Sequence, residues 1–387
     1  MNSSLLDPPP SSHAEEVRRF AESQKLKATY AALDAAPRFP WKEFQAMAAA
    51  GLLGLRTAHE LGGQGMSLRE AGGTLFHLAF HSGTTFAKLS LQPEFCSVLA
   101  EHGSPELVDT YFRPLTAGKL LVGNHVTEPT AGSDVRAIRS RAERHGSGYV
   151  LDGTKSEAAF CEDAQAAIVY AYVEHDGQRQ AQPSAFLVPQ DLPGIERRSI
   201  PDLGERWMRR GIVEYREVRI PEHFRIGEEG RALEYVKSEL TRERALLGAI
   251  YLGVAWASWV DTVEYTGGRL AFGRPLSANQ AVAFPLVEDG VRLRSAWYYV
   301  NAALEALDQG RPAASEADLA KWLATQTAIT ALDHAIQFHG GRGYSKELPH
   351  EQRWRDVRSA GLAHGPSEVL LGSAARALWP RESKSAR

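Results

Sequence analysis

The residue in this sequence best placed for acid–base work is Glu243, within Leu240-Thr241-Arg242-Glu243-Arg244-Ala245-Leu246-Leu247. Leu240, Glu243, Leu247, Ile250 and Val254 recur at spacings of three and four, which puts the carboxylate on the apolar stripe of a helix. Desolvation disfavours the charged form of a carboxylate and so strengthens it as a base for taking a proton from carbon. The plainer reading is a buried ion pair with an arginine, Arg242 or Arg244 included. A second group of residues, Val126-Thr127-Glu128-Pro129-Thr130-Ala131-Gly132-Ser133-Asp134-Val135, has the chemistry of a cofactor edge. It combines hydroxyls, a proline-stiffened turn and a glycine that lets backbone N–H groups approach an anion. On its own it also reads as a capped turn.

Other signatures carry less. Gly148–Lys155 has two glycines and a lysine but not the Gly-Lys-Ser/Thr ending of a phosphate-binding loop. His77 and His81 stand four apart without an HExxH pattern, so a core role outweighs a metal one. Neither a GxSxG elbow nor a GxGxxG following a strand occurs.

Three zones must position these groups. From Ala14 to about Gly118 the pattern is helical, with Phe44, Met47, Ala48 and Leu52 at helix spacing and Gly51 and Gly54 where a cap falls. From about Leu120 to Arg225 strands are expected. Asp152-Gly153 reads as a hairpin turn, and His175-Asp176-Gly177 joins a second strand pair, AAIVYAYV and SAFLVP. EYREVRIP, ending at Pro221, reads as an outer strand. From about Gly230 helices return: Leu233 to Thr266, Asn279 to Asp308, Ser315 to Phe338, and a short one after Pro366.

Composition sets the outer limits. The chain has 387 residues, 43% hydrophobic and 24% charged, the balance of a globular protein with room for two or three cores. A net charge of −3 offers no electrostatic footprint for nucleic acid or an acidic membrane. Two cysteines, Cys96 and Cys161, are too few for a disulfide framework or a structural zinc site and suit a reducing compartment, hence the cytoplasm. The first residues have no basic or apolar leader pattern, and Pro8–Pro10 with Ser11 and Ser12 reads as a frayed lead-in. Leu246 to Val260, the longest apolar run, is short of the ~20 residues that span a bilayer and reads as a buried helix.

The string from Val126 to Val135 resembles the TEPxAGSD signature of acyl-CoA dehydrogenases. Glu60–Gly65 resembles the family's ELGGxG, and Arg269–Leu276 with Gln280 resembles RxxFGxPL…Q. Gln337–Tyr344 resembles QxxGGxGY, and Arg353–Asp356 followed by Gly365-Pro366-Ser367-Glu368 resembles RxxRD…EGTSE. The motifs keep the family's order and cover roughly Phe44 to Leu378. The resemblance implies an α+β, mainly α fold: an N-terminal helical domain (1–118), a central β-barrel-like domain (119–228) and a C-terminal four-helix bundle (229–380). A disordered tail, 381–387, is expected beyond it.

It also implies FAD, with Val126 and Thr127 at the flavin ring and Ser133 at the pyrophosphate. Arg269, Phe272, Gln337, Gly340 and Gly341 of a neighbouring subunit would hold the pyrophosphate and adenosine, in a homotetramer or homodimer. The guanidinium fork of Arg269 suits phosphate oxygens.

Two departures stand out. The family's usual carboxylate base opens the closing EGTSE motif, where this chain has His364. Ala363, Gly365 and Pro366 around it supply no carboxylate to orient the imidazole. A subgroup that includes isovaleryl-CoA and long-chain dehydrogenases places the base on another helix, immediately before an arginine. Glu243 matches that position, with Arg244 in support. After Gly153-Thr154-Lys155 the family usually has Trp-Ile-Thr against the flavin, whereas this chain has Glu157, Ala158 and Ala159.

The activity implied is α,β-dehydrogenation of an acyl thioester, on CoA or an acyl carrier protein, possible in a specialised biosynthetic pathway. An electron-transfer flavoprotein or oxygen would accept the electrons. A flavin-dependent monooxygenase or oxidase with His364 as its acid–base group is the alternative, and a flavoprotein without turnover a third.

Overall fold

The computed structural model describes residues 5–379, so the tail expected at 381–387 lies outside the described residues. The fold is mainly helical with a central sheet. The first 118 residues form helices α1 (Ala14–Ser23), α2 (Leu26–Ala35), α3 (Trp41–Ala49), α4 (Leu68–Ser82), α5 (Thr84–Ser90), α6 (Ser97–His102), α7 (Pro105–Leu107) and α8 (Arg113–Thr116). The chain separates into two compact units, each drawing on these helices. One comprises residues 1–31, 67–87 and 241–387; the other comprises 32–66 and 88–240.

The second unit holds a nine-stranded sheet. Its strands are β1 (Val122–His125), β2 (Arg141–His145), β3 (Gly148–Ala158), β4 (Ala166–His175), β5 (Gln178–Arg179), β6 (Ser184–Pro189), β7 (Ile195–Ser199), β8 (Gly211–Pro221) and β9 (Arg225–Ile226). The order is β7-β8-β3-β2-β4-β6-β9, with β1 and β5 also pairing with β4. One core of this unit gathers inward side chains such as Tyr149, Leu151, Val169, Phe186, Val213 and Val218. The β4–β5 turn falls at Asp176-Gly177 as expected, and both residues have positive φ.

Asp152-Gly153 is not a turn. The chain reverses at Gly146-Ser147, and β3 runs straight through Asp152-Gly153 with a register shift between Leu151 and Gly153. The glycine is needed there for close approach, because a Cβ would lie 2.3 Å from Ser140 Oγ and 2.8 Å from its Cα. β8 is an outer strand over residues 216–221, where β3 is its strand neighbour; over residues 211–215 the short, polar, mostly exposed β7 pairs along its other side.

The first unit is helical. Beyond α1 and α4 it contains α9 (Ala232–Gly268) from Thr241 onward, α10 (Gln280–Asp308), α11 (Ala314–His339), α12 (Gly341–Tyr344), α13 (His350–Arg358) and α14 (Ser367–Leu378). The three long stretches expected to be helical lie within a residue or two of α9, α10 and α11, and the short helix expected after Pro366 begins at Ser367. At 37 residues α9 is long enough to cross a membrane, but 83% of its most apolar window is buried in the protein. From Ala245 to Trp259 every residue is buried, so α9 is enclosed on all sides rather than amphipathic.

The lead-in is held, not frayed. His77 Nε2 bonds the Pro9 carbonyl at 2.7 Å, and Trp256 Nε1–H donates to the Leu6 carbonyl at 3.1 Å. The Arg353-Trp354-Arg355-Asp356 motif is structural. Arg353 donates to Ser258 at 2.9 Å and Asp261 at 3.1 Å, while Asp356 accepts from Tyr30 at 2.6 Å and Thr84 at 3.1 Å. These bonds fix α13, which leads into the loop carrying His364.

Gly153→Ala is expected to destabilise the protein by about 1–3 kcal/mol, because the added methyl meets Ser140 backbone as well as its side chain. Urea unfolding followed by tryptophan fluorescence measures it, and an unchanged midpoint would show that the bulge relaxes freely.

Candidate active site

In the helical unit the two candidate bases meet. Glu243 lies on α9 and His364 in the loop before α14, 121 residues apart in sequence, yet His364 Nδ1 is 2.9 Å from Glu243 Oε2. The carboxylate is an acceptor only, so the ring N–H donates. Glu243's side chain is 3% exposed and His364's 31%. The carboxylate that sequence around His364 lacks is therefore supplied by Glu243 itself. The expected arginine partner for Glu243 is not used: among the described residues its hydrogen-bond partner is His364.

Arg244 turns instead to Asp318 on α11, at 2.7 Å, and donates from Nε to the His364 carbonyl at 2.9 Å. Lys321, one turn beyond Asp318 and fully buried, donates to the carbonyls of Ala363 and of Gly365, the latter at 2.8 Å. Three consecutive carbonyls, 363–365, are thus held by two cations, and this pins His364 at φ +52°, a left-handed conformation that costs a non-glycine residue energy. Asp318 and Lys321 were missed in the sequence, although a charged pair at i,i+3 within the alanine-rich Ala314–His339 helix is a readable sign of buried polar structure.

The same unit carries the other glycine-rich elements. Arg269 follows α9 and opens a small hairpin, β10 (Leu270–Ala271) with β11 (Arg274–Pro275). Phe272 sits at its turn with φ +51° and a fully exposed ring. Arg269 is exposed, and its guanidinium makes no ion pair among the described residues. Gln337 is exposed near the end of α11, and Gly340 caps that helix at φ +60°. A Cβ on Gly340 or Gly341 would meet nothing within 4 Å, so backbone there is open to a large ligand.

In the sheet unit, Val126 and Thr127 follow β1, half-buried, and Ser133 is exposed. A buried ion pair fixes this loop. Lys155 Nζ on β3 donates to Glu128 at 2.8 Å and to the Val126 carbonyl at 3.1 Å. Glu128 also accepts from the Arg139 amide at 2.5 Å and from Ser140 N–H and O–H at 3.0 and 2.6 Å. Burial alone would raise the Glu128 carboxyl, but Lys155 and these donors outweigh it and hold it below the usual carboxylate range. Burial pulls Lys155 down to about 8 against the pull of Glu128. The loop tightens further where Glu128 and Ala131 exchange backbone hydrogen bonds at 3.0 Å.

Where an aromatic and a threonine were expected, β3 loses register between Lys155 and Ala158, and Glu157 takes φ +56°. Its carboxylate points to Arg210 at 3.0 Å, and Arg210 also grips Asp202 through two bonds of 2.6 and 3.0 Å. A salt-bridged acid thus replaces a flat ring.

The chain is similar to known proteins along most of its length. The acyl-CoA dehydrogenase N-terminal domain matches residues 11–119, the middle domain 123–218 and the C-terminal domain 230–379. The chain is 32% identical to the benzylmalonyl-CoA dehydrogenase of Aromatoleum aromaticum over 91% of its own length and 93% of that protein. It is 31% identical to the human mitochondrial short-chain specific acyl-CoA dehydrogenase over 91% of its length and 85% of the relative. The solved structure of a probable acyl-CoA dehydrogenase from Mycobacterium abscessus superposes with a TM-score of 0.90 at 26% identity, covering 94% of this chain and 97% of that one. The chain belongs to the acyl-CoA dehydrogenase family, whose members are FAD-dependent oxidoreductases.

Proposed function

We propose that the protein removes hydrogen across the α,β bond of an acyl-CoA thioester, with Glu243 as the base that takes the α proton. The observation that carries this reading is the buried Glu243 carboxylate, bonded at one oxygen only. That leaves Oε1 to accept a proton, and burial keeps bulk water from competing for it. The CoA carrier is favoured by the relatives at 31–32% identity, both named as dehydrogenases of CoA thioesters; an acyl carrier protein is the alternative.

The residues fit FAD. Arg269 offers an exposed guanidinium without an ion pair among the described residues, beside a hairpin with an exposed aromatic ring. Gly340 and Gly341 leave an open backbone to which phosphate oxygens could draw close, with Gln337 as an amide neighbour. In this reading Arg269, Phe272, Gln337, Gly340 and Gly341 hold the pyrophosphate and adenosine bound to a second copy, in a homodimer or homotetramer. Val126 and Thr127 line the ring and Ser133 reaches the pyrophosphate, with the Val126 carbonyl held by Lys155 and the Thr127 carbonyl by the Ser156 amide. When bound, FAD supplies the acceptor for the β hydrogen as hydride. Electrons then pass to an electron-transfer flavoprotein or to oxygen, in the cytoplasm. Three domains, 1–118, 119–228 and 229–380, and the role of Arg244 as support for the base belong to the same reading.

Two measurements test it. Arg269→Ala removes a charge-assisted contact worth about 1.5–3 kcal/mol. The purified variant should carry less FAD per chain, by visible absorbance after gel filtration, with its melting temperature in FAD-free form unchanged. Full occupancy would remove Arg269 from the cofactor site. Glu243→Gln keeps an oxygen for the His364 N–H but loses the proton acceptor. Anaerobic single-turnover flavin reduction by acyl-CoA should fall about 10²–10⁴-fold with little change in melting temperature. A destabilised variant that still reduces flavin at the native rate would rule Glu243 out.

A further inference from the structure

The Glu243–His364 contact joins the two positions from which a base could act, and only one side chain can take the proton. We infer that His364 is the positioning residue of Glu243: its Nδ1–H holds Oε2, stops the carboxylate rotating, and leaves Oε1 directed to the thioester α carbon. The inference rests on Glu243 being the base.

Burial gives the ordering. The Glu243 side chain is enclosed, between half-buried Arg242 and Arg244, whereas the imidazole lies on a loop and is a third exposed. A freely rotating carboxylate presents either oxygen, and each rotation misaligns a proton transfer that needs the acceptor within hydrogen-bond reach. One N–H at 2.9 Å removes that freedom.

The hold on the donor is stronger than a single side chain requires. Arg244 and Lys321 between them bond the carbonyls of residues 363, 364 and 365, and Asp318 fixes Arg244 in turn. The strap fixes backbone rather than the ring, so it sets where the imidazole begins and leaves Nδ1 aimed at α9. It also keeps His364 at φ +52°, a conformation that asparagine and glycine adopt more readily than histidine. The sequence keeps the costlier residue at this strained position, which is the pattern expected where a side chain is needed for function.

The geometry of the two ring nitrogens supplies the test. Asparagine places its amide nitrogen near the position of Nδ1, glutamine near that of Nε2. His364→Gly removes the ring without backbone strain and should lower the anaerobic flavin-reduction rate about 10–100-fold, the usual range for loss of an orienting partner. The dissociation constant for acyl-CoA and the melting temperature should stay near native. His364→Asn should recover most of the rate and His364→Gln should not. Imidazole added to His364→Gly should recover part of it, and α-deuterated substrate should show a larger isotope effect in His364→Gly than in the native enzyme.

Equal rates for the native protein and His364→Gly would overturn the inference, as would equal behaviour of the Asn and Gln variants. Failure of the underlying assignment looks different. If His364 were itself the base, Gly, Asn and Gln variants would all be inactive while Glu243→Gln retained flavin reduction.

Discussion

A carboxylate taken out of water needs a partner, and the choice of partner for Glu243 organises the helical unit around it. An unpaired buried charge costs several kcal/mol. Here the chain meets that demand with an imidazole from a loop far along the sequence. Placing that loop then requires its own hydrogen bonds, since carbonyls 363 to 365 turn inward. Arg244 and Lys321 satisfy them, and Asp318 balances Arg244. Each buried group creates the need for the next, and the sequence ends with charges in balance rather than with an orphan. Farther along α9 the helix meets α4 closely, where a Cβ on Gly253 would lie 2.3 Å from the Phe76 carbonyl.

The sheet unit solves a similar problem to a different end. Glu128 and Lys155 are both buried, and their pairing is saturated by the Ser140 hydroxyl, two amides and the Val126 carbonyl. Nothing is left on the carboxylate for chemistry. Its product is shape: the backbone of Val126 and Thr127 is held while their outward faces stay available. Glu243, by contrast, has one oxygen engaged. The two buried carboxylates differ in how many donors they accept.

Much of this was legible, and the limits have physical causes. The long helices α9, α10 and α11 were readable because their apolar residues and flanking breakers are local signals. Asp152-Gly153 misled because the same dipeptide that makes a tight turn also makes a bulge, and only the opposing Ser140 and β8 decide which. EYREVRIP was readable as an outer strand over most of its length, and its partial cover by Ile195–Ser199 was not, because that strand is short and polar. The burial of Glu243 was legible from its stripe, even though α9 is enclosed on all sides from Ala245 to Trp259. Its pairing with His364 was not, because nothing in local sequence encodes a contact across 121 residues. For the same reason Ala363, Gly365 and Pro366 seemed to leave the imidazole unsupported.

The identity of the partner matters as much as its presence. An arginine beside Glu243 would stay charged at every accessible pH and hold the carboxylate permanently in its anionic, weakly basic form. An imidazole can donate the same hydrogen bond while neutral, so it orients the carboxylate without a fixed positive charge. Arg244, adjacent in sequence, could have supplied that charge, but its guanidinium is engaged by Asp318 and the His364 carbonyl. The cation nearest in sequence thus holds the backbone of the loop that carries His364. Asp318 holds Arg244, Arg244 holds the His364 backbone, and His364 holds the Glu243 carboxylate, so the four side chains form one connected network.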